Sequence, residues 1–236
     1  MPSRTVIVVY VVLLHVALVA ALVLLIVRPG IVDRLLGGGR IDMSAFRRET
    51  AAYLERVDQS APDGAVLFVG DSQVQSLAVA RVAPNAINLG IGSDTAAGVR
   101  ARLETMQSLT RASALVLVVG HNDARTRSPE DFLADVSAIL DGLPATLPVV
   151  VCAILPIDPS LVRGLGTKDI KSLNTAIEAL TALRPTTVFV DPGPALSGVD
   201  GVLRAECHVG DGVHLSKVGN VLFADRLRAA LAKLVK

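Results

Sequence analysis

Four short segments of the chain carry side chains that could act together in acyl transfer. They lie at residues 70–72 (GDS), 90–92 (GIG), 120–123 (GHND) and 211–214 (DGVH). Between them they offer a hydroxyl, a glycine N–H, a carboxamide, a carboxylate and an imidazole. Acyl transfer through a serine uses these groups, provided that the fold brings them to one place.

The elements between these segments predict an α/β fold. Short runs rich in valine, leucine and isoleucine occur at 65–69, 86–89, 114–119, 148–155 and 187–190. They are nearly continuous in apolar character, which is typical of strands buried on both faces. Helix-length amphipathic segments separate them, so we expect a parallel sheet covered by helices on both sides.

The chemically active segments follow these predicted strands. In an open parallel sheet, ligands bind beyond the carboxyl ends of the strands. Ser72, Gly90 and Asn122 come just after the first three runs, and His214 follows well after the fifth. We therefore expect all four residues at one edge of the sheet.

Together these blocks resemble the SGNH (GDSL-type) hydrolase family. Its Ser, Gly, Asn and His blocks match Ser72, Gly90, Asn122 and His214 in the same order, over roughly residues 64–234. The first block reads GDSQ where many members have GDSL. The resemblance implies a flavodoxin-like three-layer α/β/α fold, with a five-stranded sheet of order 2-1-3-4-5. It also implies hydrolysis of esters or thioesters without a metal or cofactor.

Each matched residue has a chemical role in this pattern. Ser72 would be the nucleophile, His214 the general base and acid, and Asp211 the carboxylate that orients His214. The Ser72 N–H, the Gly90 N–H and the Asn122 carboxamide would form the oxyanion hole.

Three further residues of these blocks are predicted to support the site. Asp71 is expected to hold the turn before Ser72 through backbone hydrogen bonds. Gly120 and Asp123 belong to the G-x-N-D block, and Asp123 is expected to orient its loop. His121 fills the variable position of that block, and His208 ranks far below His214 as the base because Ala205 stands three residues before it.

The N-terminal segment predicts an uncleaved membrane anchor, with a cleaved signal peptide and a buried helix as the alternatives. Residues 6–27 form a run of 22 residues without a formal charge, and a helix of about 33 Å would cross a bilayer. We expect an anchor at 1–28, a juxtamembrane linker and helix at 29–62, and the hydrolase domain at 63–236. This arrangement implies a single-pass membrane protein. The family resemblance favours a catalytic domain outside the cytoplasm, although the arginines after the span favour the opposite orientation.

Composition excludes several other classes. The net charge of +1 and the 3% of aromatic residues argue against a nucleic-acid partner. The four histidines lack metal-site spacing, so no metal ligands are predicted, and the resemblance implies no cofactor. Cys152 and Cys207 are either two unrelated thiols or a single disulfide.

Competing functions are less consistent with the motifs. A dinucleotide site would need a third glycine at position 95, which is Thr95, and an α/β-hydrolase elbow would need a glycine at Val74. The predicted function is hydrolysis or transfer of short acyl groups such as acetyl, on a cell-envelope carbohydrate or a small lipid. A membrane-tethered binding protein on the same scaffold, a lysophospholipase and a thioesterase are the alternatives.

Overall fold

The computed structural model describes residues 3–27, 43–162, 165 and 167–234. The chain divides into two compact units, Met1–Ala45 and Phe46–Lys236. The first unit contains helix α1 (Arg4–Val27). Most of the linker predicted after the anchor lies outside the described residues, and the predicted domain boundaries remain predictions.

The predicted transmembrane anchor is wrong. Among the helices of the described residues, none combines the length and the apolar character that a membrane crossing requires. The prediction relied on the length of the uncharged apolar run at residues 6–27. The same finding overturns the membrane contact through residues 6–27 and the single-pass membrane localisation.

The second unit is built on a parallel sheet of five strands within the described residues. The strands are β1 (Val66–Gly70), β2 (Ala86–Gly90), β3 (Ala114–Val118), β4 (Val149–Cys152) and β5 (Thr187–Val190). Their order is β2-β1-β3-β4-β5, and each neighbouring pair is parallel. The predicted parallel sheet and its order 2-1-3-4-5 are thus confirmed.

Helices connect the strands and cover the sheet. They are α2 (Ser44–Gln59), α3 (Ser72–Gln75), α4 (Ala96–Leu103), α5 (Asp123–Thr126), α6 (Pro129–Gly142), α7 (Thr167–Ala182), α8 (Gly193–Leu196) and α9 (Lys217–Leu234). Single 3-10 turns occur at Val79–Arg81, Ser108–Thr110 and Ala205–Cys207. Helix α6 begins after Ser128, which caps it by accepting the Asp131 N–H at 3.1 Å.

Two hydrophobic cores lie on opposite faces of the sheet. One packs strand residues such as Leu67 and Leu117 against α2, α4, α6 and α7. The other packs Phe68 and Val116 against α3 and α9, with Phe223 fully buried at its centre. Side chains of one strand alternate between the two cores, as a strand covered on both faces requires.

Strand β4 is shorter than the predicted run at 148–155. Beyond Cys152, the Ala153 N–H still donates to the Val190 carbonyl at 2.9 Å, and the backbone groups of Ile154 then bind the Asn174 carboxamide. Asn174 donates to the Ile154 carbonyl and accepts from the Ile154 N–H, at 2.9 and 2.8 Å. Cys152 and Cys207 are both buried and free, so they form no disulfide.

Candidate active site

Ser72 lies at the turn between β1 and α3. Asp71 caps this short helix by accepting the Gln73 N–H at 2.9 Å, and its own N–H donates to the Val118 carbonyl of the adjacent strand at 3.2 Å. The chain therefore turns sharply at the carboxyl end of β1. Ser72 is partly exposed there, while Asp71 and Gln73 are buried on either side.

His214 lies on a loop that closes upon itself at residues 208–215. An isolated antiparallel bridge joins His208 to Leu215, and the Val209 N–H donates to the His214 carbonyl at 2.9 Å. Within the loop, Asp211 Oδ1 accepts the backbone N–H groups of Val213 and His214, each at 2.9 Å. One carboxylate oxygen thus fixes the loop and leaves the other for the imidazole.

The structure brings Ser72, His214 and Asp211 together. Ser72 Oγ lies 3.0 Å from His214 Nε2, and His214 Nδ1 lies 2.5 Å from Asp211 Oδ2. Burial raises the pKa of Asp211, but the hydrogen bonds from the His214 ring and from the backbone outweigh it and bring the pKa to about 2. An ionised Asp211 holds the proton on Nδ1, so Nε2 is free to accept the Ser72 hydroxyl proton.

Asn122 follows β3 and lies at the same cavity as Ser72. One N–H of its carboxamide donates to the Asp94 carbonyl at 2.8 Å, which fixes the orientation of the group. A carboxamide has a second N–H, and this one remains for a ligand.

Gly90 does not line that cavity. Its N–H donates to Asn88 Oδ1 at 3.0 Å, so this donor already has a partner. A Cβ at Gly90 would lie 2.3 Å from the Gln75 N atom of α3. The glycine therefore permits the close approach of α3 to β2, and the predicted oxyanion role of its N–H stays a prediction.

Asp71 is an acidic group enclosed beneath the site. Burial raises its pKa to about 7, although the bond from the Gln73 N–H acts in the other direction. Negative charge on Asp123 and Asp94 adds to the rise. Asp71 thus changes charge near neutral pH, directly beside the Ser72 turn.

Asp123 and Gly120 shape the loop that carries Asn122. Both oxygens of Asp123 accept the Ala96 N–H, at 3.1 and 3.2 Å, and Arg127 pairs with the same carboxylate. Burial raises the pKa of this carboxyl while these bonds lower it, with a net rise. Gly120 has a φ of +127° and its missing Cβ would collide with Ile154, so a side chain here would be strained and crowded.

A cavity of about 230 Å³ opens beside Ser72. It is lined by Ser72, His121, Asn122, Arg125, Leu161, Val162, Asp211, Val213 and His214. The lining combines the apolar residues Leu161, Val162 and Val213 with polar and charged groups. An ester carbonyl placed here would meet the hydroxyl, the imidazole and the carboxamide at once.

Four residues at this site were not predicted to act there. His121 and Arg125 line the cavity, Gln73 Nε2 donates to the Val213 carbonyl at 2.9 Å, and His208 braces the loop of His214. His121 stands inside the G-x-N-D block, which is the one sequence signal that could have drawn attention to it. Among the described residues, no group of three or more His, Cys, Asp and Glu side chains could hold a metal ion.

Comparison with known proteins identifies the family. The model of the GDSL-like Lipase/Acylhydrolase family matches residues 68–222, which is more than half of the chain and includes Ser72, Asn122 and His214. The chain is also 28% identical over 222 residues to the platelet-activating factor acetylhydrolase IB subunit alpha1 of Rattus norvegicus. That alignment covers 88% of this chain and 89% of the rat protein.

Solved structures share the fold at lower identity. A GDSL-like lipase from Bacteroides thetaiotaomicron superposes with a TM-score of 0.66 and 19% identity, over 78% of this chain and 97% of that one. An acetyl-xylooligosaccharide esterase from Geobacillus Stearmophilus gives a TM-score of 0.60 and 16% identity, over 71% and 94%. On the strength of the family match, this chain belongs to the GDSL-like lipase/acylhydrolase family and is a hydrolase of esters.

Proposed function

We propose that the chain is a serine esterase that removes short acyl groups, such as acetyl, through Ser72, His214 and Asp211. The observation that carries the proposal is the continuous hydrogen-bonded series from Ser72 Oγ through the imidazole to Asp211 Oδ2, at 3.0 and 2.5 Å. A nucleophile, a base and an orienting carboxylate in this order are what covalent acyl transfer requires.

The first half of the reaction forms an acyl-enzyme. His214 Nε2 removes the Ser72 hydroxyl proton while Oγ attacks the ester carbonyl carbon. The tetrahedral intermediate collapses, the bond to the leaving oxygen breaks, and His214 gives its proton to the departing alcohol. Asp211 stays ionised throughout and stabilises the imidazolium.

The second half releases the acid. Water takes the place of the alcohol, and His214 removes a proton from it as its oxygen attacks the acyl carbon. Collapse of the second intermediate breaks the bond to Ser72 Oγ and returns the proton to that oxygen. An alcohol in place of water would give acyl transfer, so the same residues support both outcomes.

The proposed oxyanion hole consists of the Ser72 N–H and the free N–H of the Asn122 carboxamide. Ser72 is the first residue of α3, and an N–H at this position has no partner within its helix. The bond from Asn122 to the Asp94 carbonyl holds the carboxamide in place before substrate arrives. Such preorganisation is what makes an oxyanion donor effective.

The size of the cavity supports a short acyl group. Its volume of about 230 Å³ lies below the roughly 300–1,000 Å³ that is typical of sites for drug-sized ligands. The names of two similar proteins, an acetylhydrolase subunit and an acetyl-xylooligosaccharide esterase, point to acetyl esters. We therefore propose an acetyl ester of a carbohydrate or a small lipid as the substrate class.

A series of p-nitrophenyl esters of increasing chain length tests this function. Acetate and butyrate should be hydrolysed and long-chain esters turned over poorly, because the cavity cannot enclose them. Ser72→Ala, with its fold verified by circular dichroism, should fall to background on every ester. Equal rates for wild type and Ser72→Ala, or a preference for the longest chains, would contradict the proposal.

A further inference from the structure

Arg125 is a cation at the active-site cavity that no described group neutralises. It lies on α5, four residues after His121, and its side chain is exposed. Its neighbours differ in this respect, since Arg127 pairs with Asp123 and Asp135, and Arg102 pairs with Asp94. The ion pairs and side-chain hydrogen bonds of the described residues include none made by the Arg125 guanidinium.

The carboxylates near the site are already engaged. Asp211 is the acidic residue among those lining the cavity, and both of its oxygens are bound to His214 and its own loop. Asp123 is fully buried against Ala96 and Arg127. A free guanidinium beside a cavity without an available carboxylate favours an anionic ligand, because its planar fork matches carboxylate and phosphate oxygens.

His121 adds an unused polar group to the same cavity. Its side chain lines the cavity although the residue is only 6% exposed, and its Nε2 has no hydrogen-bond partner among the described residues. Burial is the main cause that lowers the pKa of His121 to about 4, and the neighbouring His214 and Arg125 act in the same direction. The ring is therefore neutral at working pH and can offer one N–H to a ligand.

We propose that Arg125 and His121 form a subsite that binds an anionic oxygen group, a carboxylate or a phosphate, on the alcohol portion of the substrate. This inference rests on the proposed ester hydrolysis at Ser72. Since the acyl group is short, the anion belongs to the alcohol that leaves. The substrate class is then an acetyl ester of an acidic alcohol, such as an acidic sugar or a phosphate-bearing glycerol.

Three aryl acetates of similar size test the subsite. They are 4-acetoxybenzoate, 4-acetoxyphenyl phosphate and the neutral 4-acetoxybenzamide. The quantity of interest is the kcat/KM of each anionic ester divided by that of the amide. In Arg125→Gln this ratio should fall by about 10- to 100-fold, the loss of a charge-assisted contact, and mainly through KM. The benzoate and phosphate arms show which anion the subsite prefers.

A matched control removes a positive charge elsewhere. Arg226 is exposed on α9, and Arg226→Gln should leave the ratio as in wild type, while Arg125→Lys should retain part of it. An unchanged ratio in Arg125→Gln would overturn the subsite while leaving the esterase intact. Failure of folded wild type to hydrolyse all three esters would overturn the proposed function itself, and the subsite with it.

A second and independent observation concerns His208, at the base of the loop that carries His214. His208 Nδ1 accepts the N–H of Gly210 at 3.0 Å and the N–H of Gly212 at 3.2 Å. These two glycines flank Asp211, and both have a positive φ, of 102° and 75°. A nitrogen that accepts two N–H groups carries no proton, so the ring proton of a neutral His208 resides on Nε2.

We infer that His208 is a positioning residue, which fixes Asp211 and His214 through the acceptor at its Nδ1. Without this acceptor, the N–H groups of Gly210 and Gly212 lose their partner and the loop is free to shift. A shift of about 1 Å at a reacting group can cost roughly 100-fold in rate. The effect should appear in kcat, since His208 does not line the cavity.

Two substitutions separate the acceptor from the shape of the ring. Asn places an oxygen close to the Nδ1 position, whereas Leu fills similar space without an acceptor. His208→Leu should lower kcat on p-nitrophenyl acetate by about 10- to 100-fold with little change in KM, and His208→Asn should recover most of the loss. Wild-type kcat in folded His208→Leu, or equal losses in both variants, would overturn the inference.

Discussion

Individual residues at this site act through hydrogen bonds that decide which proton is available. Asp211 accepts backbone N–H groups of its own loop with one oxygen and binds the His214 ring with the other. Asn122 donates one N–H to the Asp94 carbonyl. What remains is a basic Nε2 beside a hydroxyl, together with a single carboxamide N–H.

Asn122→Ala should lower kcat by about 100- to 1,000-fold, which is the usual cost of losing one oxyanion donor. KM should change little, because the donor acts on charge that develops only in the transition state. Initial rates on p-nitrophenyl acetate, with circular dichroism as a control for the fold, measure this directly. Activity within a few-fold of wild type in a folded variant would remove Asn122 from the oxyanion hole.

Asp71→Asn should change how stability depends on pH. The Asp71 carboxyl has its ordinary pKa of 3.8 when unfolded and about 7 when folded, because burial raises it. Between these values the folded protein binds the extra proton, so the free energy of unfolding falls as pH rises from about 4 to 7. Asp211, with a pKa lowered to about 2, loses its stabilising contribution only below pH 4.

Urea unfolding of both proteins at pH 4.5 and pH 8 checks this sign. Asn retains an oxygen that can cap the Gln73 N–H but never ionises, so the variant should gain stability relative to wild type as pH rises. The gain is bounded at about 4 kcal/mol, since each pKa unit is worth about 1.4 kcal/mol. A difference between the two proteins that is the same at both pH values would refute the assignment.

At the scale of secondary-structure elements, the close packing of α3 against β2 positions Ser72. Helix α3 starts at Ser72 and lies so near the end of β2 that a Cβ at Gly90 would be 2.7 Å from the Val74 Cβ. The first turn of α3 and the end of β2 therefore act as one rigid support for the nucleophile.

Gly90→Ala should displace α3 and with it Ser72. We expect a loss of about 1–3 kcal/mol in the free energy of unfolding, as in other overpacked cores, and a fall in kcat. Gly142→Ala is the matched control, because nothing lies within 4 Å of its added Cβ and alanine favours the helix. Urea unfolding and ester hydrolysis of the two variants should therefore diverge, and equal behaviour would show that α3 tolerates the methyl group.

At the scale of the whole molecule, the sequence predicts the strands better than the site. Runs of valine and leucine are long enough to specify β1 and β3, and the family resemblance supplies the order of the sheet. The hydrogen bond from the Gly90 N–H to the Asn88 side chain, and the one from the Ile154 N–H to the Asn174 side chain, form between groups that meet only after folding. Residue types and spacing do not contain that information.

Residue types and spacing mislead in two ways: they miss the role of His208, and they predict a membrane span at the N-terminal run that the structure does not support. The sequence ranks His208 low because the base needs an acid three residues before it, but a bracing role needs only two N–H groups in a loop. The run at 6–27 predicts a span by its length and lack of charge, yet no helix of the described residues qualifies as one.

The division of the chain predicts that its N-terminal unit is dispensable for catalysis. All residues that line the active-site cavity lie within Phe46–Lys236, and α2 is tied to this unit by Asp58, which accepts the Gln107 N–H at 2.7 Å. A chain that begins at Met43 should fold and retain the kcat/KM of the full chain on p-nitrophenyl acetate. A folded but inactive truncated chain would contradict this division of labour.

The central claim is that Ser72 is a nucleophile activated by His214. Reaction of the full chain with a fluorophosphonate probe, followed by peptide mass spectrometry, tests it most directly because the probe traps only an activated hydroxyl. The wild-type protein should carry one adduct, on Ser72, while Ser72→Ala should carry none and His214→Ala should react far more slowly. A folded wild-type protein that remains unlabelled, or that is labelled equally fast without His214, would contradict the proposed mechanism.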